Sequence, residues 1–179
     1  MKKYILITLI ALLPIAGFSQ SLFDKFEDLD DVTAVVVNKS MFNLLSKIDV
    51  EVDDPEARDF MDIASSLKSL KVFTTDNEKI GSDMRSSVDS YLKSSRMEEL
   101  MRIKDKEANV KFYIKQGKDD DHVSELLMFI TDLSEIEADG RKIETVLLSL
   151  TGDIDLNKIN SLTKKMNLPE ELNKAGKNN

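Results

Sequence analysis

The chain has 179 residues, 33 Asp and Glu against 25 Lys and Arg, a formal charge of −8, and no cysteine. An acidic chain repels phosphate backbones, which argues against nucleic acid as a partner. Without cysteine there are no disulfides, thiol nucleophiles or thiolate metal sites.

The opening "MKKYILITLIALLPIAGFSQS" has the order of an export signal. Lys2 and Lys3 are its positive start, and the apolar run Tyr4 to Leu13 is too short for a bilayer that needs about 20 residues. Pro14 breaks the run, and Gly17 and Ser19 are small residues two apart, so residues 1–19 are expected to be cleaved near Ser19–Gln20. Removing Lys2 and Lys3 leaves 23 basic residues against 33 acidic, a net charge of −10. The remaining chain, residues 20–179, suits one domain, soluble and without a further apolar stretch able to span a membrane.

Taken in chain order, "VTAVVV" at 32–37 is β-branched and reads as a buried strand. Asn38 is expected to cap a short helix whose apolar face is Met41, Leu44, Leu45 and Ile48. After a loop, "DVEVDD", Asp54–Pro55 starts a second helix striped by Ala57, Phe60, Met61, Ala64 and Leu67. A second strand is expected at 70–76. Asn77 then caps a helix from about Glu78 to Ser94, buried along Ile80, Met84, Val88, Tyr91 and Leu92.

From Arg96 the period changes to two, predicting a hairpin over 98–116. Met101, Ile103, Val110, Phe112 and Ile114 share one of its faces. Two more strands, "HVSELLMFITDL" and "KIETVLLSLTG", are expected to follow, joined by a loop carrying Asp139–Gly140. Leu156, Ile159, Leu162 and Met166 mark a final short helix, and residues 168–179 form a frayed tail. The order β-α-α-β-α-β-β-β-β-α predicts a single α+β domain over 20–167, with helices packed on one face of a mainly antiparallel sheet.

Residues that could carry chemistry are few. "GKDDDH" at 117–122 gathers Asp119, Asp120, Asp121 and the sole histidine, His122. As a calcium loop starting at Asp119 it has Ser124 where glycine is needed and Ile130 where a bidentate carboxylate belongs. A solvated hairpin tip is the expectation, with no functional metal site. "DIDLN" at 153–157 fails the same way, with Lys158 and Lys164 at those positions, and Asp155 or Asn157 is expected to cap the last helix. No serine lies in a "GxSxG" elbow and no glycine-rich phosphate loop exists, so no catalytic residue and no cofactor are assigned.

One feature hints at binding. Arg102, Lys104, Lys106, Lys111 and Lys115 gather around Tyr113 on the other face of the hairpin. Like charges opposite one another across strands are unfavourable, so a basic face on an acidic chain invites a reason. The bland alternative is a solvated face offset by Glu99, Glu125 and Glu144.

"SLFDKFEDLDDVTAVVVNKSMFNLL" resembles the opening of a family of small exported bacterial proteins, domain of unknown function 4252. The likeness is an "LF-x-K-F" start, a valine strand, then Lys-small-Met-x-x-Leu-Leu entering a helix, and it extends over about residues 21–166. The resemblance implies an exported domain of Gram-negative envelopes, in a regulatory or stress-related setting, and supplies no catalytic residues. The expected function is a non-enzymatic periplasmic binding or interaction module, whose partner is an envelope protein or an anionic small molecule. The alternatives are a carboxylate-based hydrolase or isomerase and a carrier of a small apolar ligand.

Overall fold

The computed structural model describes residues 22–45, 55–104, 106, 108–133, 137–138 and 141–156. The expected export signal, the "DVEVDD" loop, the helix expected after Leu156 and the tail 168–179 lie outside them.

After a 3-10 turn at Asp24–Phe26, the elements are β1 (Thr33–Asn38), α1 (Lys39–Leu45), α2 (Pro55–Ser66), β2 (Leu67–Thr75), α3 (Glu78–Ser95), β3 (Glu98–Lys104), β4 (Asn109–Gln116), β5 (His122–Thr131), β6 (Glu137–Ala138), β7 (Arg141–Lys142) and β8 (Thr145–Asp155). Six strands form one sheet in the order β1-β2-β8-β5-β4-β3. Every neighbouring pair in it is antiparallel. The small β6–β7 ribbon brackets Asp139–Gly140 within the expected loop. Through β8, the α+β class and the order of elements are those predicted from the sequence, with the β6–β7 ribbon added.

Why the sheet takes two covers is written in its central strands. In β5 every residue from Glu125 to Thr131 is buried, and in β8 so is every residue from Leu147 to Leu150. Successive strand residues point to opposite faces, so unbroken burial requires packing on both. The helices accordingly divide between the two faces, where a single helical layer on one face was expected. On one face, Phe42 of α1 and Ile63 and Ala64 of α2 pack on Leu126, Met128, Leu148 and Leu150. On the other, Met84 and Val88 of α3, with Phe23 and Phe26 from the N-terminal turn, pack on Phe73, Leu127, Phe129 and Leu147. Apart from Ala64, each of these side chains gains roughly 1.5–3 kcal/mol from burial.

The N-terminal turn is held in two ways. Phe23 meets Tyr91 edge-on at 5.3 Å between ring centroids, and Phe26 lies 6.0 Å from Phe73. Lys71 of β2 forms ion pairs with Asp24 and, at 2.7 Å, with Glu27. Burial lowers the lysine pKa, but the two carboxylates outweigh it and the net shift is upward.

Two of the expected helix caps lie among the described residues and form. The Asn38 side chain accepts from the Met41 amide at 3.2 Å. The Asn77 side chain accepts from the Lys79 and Ile80 amides at 3.0 and 3.3 Å. Two local readings are corrected. The valine strand is an edge strand, not a buried one: Val35 and Val36 are 50% and 45% exposed. Leu67, placed by period in the second helix, is the first residue of β2, so helix turns into strand without a loop. β8 passes close to that junction at Gly152, where a Cβ would lie 2.7 Å from the Ser66 carbonyl oxygen and 2.8 Å from the Leu67 Cα.

Candidate functional site

The basic residues of the hairpin owe their grouping to register. In the β3–β4 pair, Arg102 stands opposite Lys111 and Lys104 opposite Asn109. Lys111 in turn faces Phe129 on β5. These residues lie on the α3 face of the sheet, beyond the edge of the core that α3 covers.

α3 brings a fourth cation to the same place. At Gly81 the helix lies so close to β8 that a Cβ would meet the Thr145 hydroxyl at 2.7 Å. One turn later, Arg85 reaches over the Phe129 ring, its guanidinium carbon 5.9 Å from the centroid. The result is a depression of about 260 Å³ lined by Arg85, Arg102, Lys104 and Lys111, with Asn109 and Thr131 as neutral polar groups and Phe129 beneath. Arg102 is paired with Glu99 at 2.6 Å, and the arginine holds the Glu99 carboxyl below the usual range. Among the described residues, Arg85, Lys104 and Lys111 form no ion pair.

A second, larger depression of about 500 Å³ adjoins the first and shares Arg85 and Thr131 with it. Its charge is opposite, from Glu78, Asp132 and Glu144. Asp132 takes a left-handed backbone, φ 62°, which aspartate tolerates better than most residues. That turn lets its carboxylate accept from the Asn109 side-chain Nδ2 and, at 3.2 Å, from the Thr131 hydroxyl. Arg85 therefore stands between a cationic and an anionic hollow.

The remaining predicted face residues are placed differently. Lys115 is exposed and opposite Glu125, outside the depression. Lys106 is exposed in the β3–β4 turn. Tyr113, expected at the centre of the basic face, is 8% exposed and belongs to the core under α3. Burial raises its hydroxyl pKa. Alternation put Tyr113 on the right face, but period alone does not show where a helix lies across that face. Arg85 was missed because a lone arginine on the outer side of an amphipathic helix carries no sequence signal.

Farther along the same face is a buried acid. Glu125 is 7% exposed, and burial raises its pKa, opposed by the Tyr91 hydroxyl and the Lys115 charge. The Tyr91 hydroxyl lies 2.7 and 2.9 Å from its two oxygens. Burial and the neighbouring carboxylate hold that phenol protonated far above its ordinary range, so it donates throughout the neutral region.

"GKDDDH" forms the β4–β5 hairpin tip. The Asp119 carboxylate lies 2.6 Å from His122 Nδ1 and accepts from the Asp121 amide at 3.2 Å. Asp120 accepts from Gln116, and Lys118 pairs with Asp153 at 2.7 Å. Among the described residues no group of three or more His, Asp or Glu is placed to hold a metal ion. Asp153 and Asp155, read as part of a decoy calcium loop, are the closing residues of β8.

The fold and the site define a small α+β protein with a six-stranded antiparallel sheet and a cationic hollow beside one of its edges. The chain belongs to the family described as Domain of unknown function (DUF4252), whose model matches residues 26–162. Searches of curated proteins and of solved structures found no match. Among the described residues no helix is long and apolar enough to cross a membrane.

Proposed function

We propose that this chain is an exported, periplasmic binding module that takes an anionic small molecule in the hollow between α3 and the β3–β4 hairpin. One observation carries the reading: three elements bring Arg85, Arg102, Lys104 and Lys111 around one depression. Three of those cations have no ion-pair partner among the described residues. On an acidic chain, cations left unpaired together favour an anion from outside. A volume of about 260 Å³ suits a compact phosphate or polycarboxylate rather than a drug-sized ligand. Guanidinium groups supply planar forks for such oxygens, and the lysines supply point charge.

Binding is favoured over catalysis by the placement of the acids. Glu125 is the one buried carboxylate among the described residues, and Tyr91 occupies both its oxygens. Both depressions are lined by charged side chains, which suits a carrier of apolar ligands poorly. The export part of the reading is checked by intact mass of the cell-produced protein, which should begin at Gln20. Retention of residues 1–19 overturns it.

The binding part is tested by calorimetry with inorganic phosphate and with citrate at low and moderate salt. Lys111→Glu should weaken binding on the order of tenfold or more at low salt, and the loss should shrink as salt screens the field. Lys115→Glu, outside the hollow, should leave affinity unchanged. Equal binding by wild type and both variants, with far-UV circular dichroism unchanged, overturns the site.

A further inference from the structure

The two edges of the sheet are treated in opposite ways. β3 carries Glu98, Glu99, Arg102 and Lys104, and its register slips between Glu99 and Met101. Charges and a bulge are the usual means of preventing an edge from pairing with another strand. β1 has neither. Its six residues, Thr-Ala-Val-Val-Val-Asn, are uncharged, contain no proline, and pair with β2 in unbroken register. Ala34 and Val37 pack into opposite faces of the core, so their neighbours alternate likewise. Val35 and Val36 are thus exposed on opposite faces of this rim. An acidic chain that blunts one edge and leaves the other flat and apolar has an edge suited to strand addition.

We infer that β1 is a homodimer interface, where the β1 strands of two copies pair antiparallel about a two-fold axis and continue the sheet from one copy into the other. In an antiparallel pair, outward-pointing backbone groups must meet outward-pointing ones, and these recur at every second residue. A two-fold axis therefore passes through a residue. Centred on Val35, it sets Val35 against Val35 and Ala34 against Val36, burying valine on both faces. The same register brings exposed Asp31, just before the strand, towards exposed Lys39, the first residue of α1, at both ends of the ladder. A parallel pairing would bring like charges together instead. The isologous contact closes on itself, so it stops at two copies, while the charged β3 edge stays in solvent. A ladder of five residue pairs, Thr33 to Val37 of each copy, is a small interface, so the dimer should dissociate on the order of micromolar.

Sedimentation velocity on the chain as processed by the cells that make it should show a monomer–dimer equilibrium across that range. Val36→Lys should raise the dissociation constant on the order of tenfold or more, while Leu100→Lys on the β3 edge should not move it. Because the chain has no cysteine, single substitutions report the register. Oxidised Val35→Cys should run as a covalent dimer, and Leu100→Cys should stay monomeric. A protein monomeric at hundred-micromolar concentration overturns the inference. So does a dimer untouched by Val36→Lys, or cross-linking through Leu100→Cys alone. If β1 captures a different protein while the chain itself stays monomeric, the interface is heterologous and the homodimer is wrong.

Discussion

The two faces of the sheet are made from alternate residues of the same strands, yet they are built differently. The face under α1 and α2 is hydrocarbon and sulfur: Leu126, Met128, Ile130, Leu148 and Leu150. The face under α3 interleaves Phe73, Leu127, Phe129 and Leu147 with Lys71, Glu125, Thr131, Thr145 and Ser149. An apolar face stabilises by area alone and accepts many packings. A mixed face must supply a partner for every polar group it buries, which fixes it in detail and leaves charge available at its rim. The cationic hollow lies at that rim.

The largest expected effect tests the apolar face. Leu148, 3% exposed, has no polar role. Leu148→Ala should cost about 2–5 kcal/mol through lost burial and the cavity left behind. Urea unfolding measures it, and a loss below about 1 kcal/mol would show that this face is loosely packed.

A smaller, pH-dependent effect tests the mixed face. Tyr91→Phe removes the donor to the buried Glu125 carboxylate and should cost about 1–3 kcal/mol at pH 7. The sign follows from the raised Glu125 pKa. The folded state holds this proton more tightly than the unfolded chain, so the acid's cost is absent below the ordinary glutamate range and grows as pH rises through the folded value. Without Tyr91 the folded pKa rises further. The Tyr91→Phe loss should therefore shrink on acidification to about pH 4. A loss constant with pH would mean that the hydroxyl does not serve the ionised acid.

The smallest effect sharpens the contrast. Lys71 is partly buried, but Asp24 and Glu27 each keep about a third of their side-chain surface in water. Lys71→Met should cost roughly 1 kcal/mol or less, because the stem still packs and the carboxylates re-solvate. Chemical denaturation at low and high salt would show it. A loss matching that of Leu148→Ala would make the N-terminal clamp as important as the core.

What the sequence disclosed followed from local chemistry. Asn38, Asn77 and Pro55 marked helix starts because caps and first-turn proline act within a few residues. Gly117 and the aspartates after it marked the hairpin tip for the same reason. Tertiary context decided the rest. A valine run looks the same in a central strand and at an edge, so β1 was placed inside. Leu67 fits both the helical stripe and the strand that follows it. The basic group on the hairpin was legible from alternation as far as Arg102, Lys104 and Lys111. Arg85 joined it, and Tyr113 left it, only through the path of α3 across the sheet.

The place of β8 has a consequence in time. It is the last of the described strands along the chain, yet it lies between β2 and β5. Made from the N-terminus, the chain can pair β3, β4 and β5 with one another by short turns, and β1 with β2 across the segment that carries α1 and α2. Each partial sheet then presents a bare inner edge. Residues 145–155 are paired on both sides only after both partial sheets exist. Such non-local closure is slow relative to hairpin formation, and unpaired edges in the interval invite misassembly. The nascent chain is therefore most in need of a chaperone before β8 emerges.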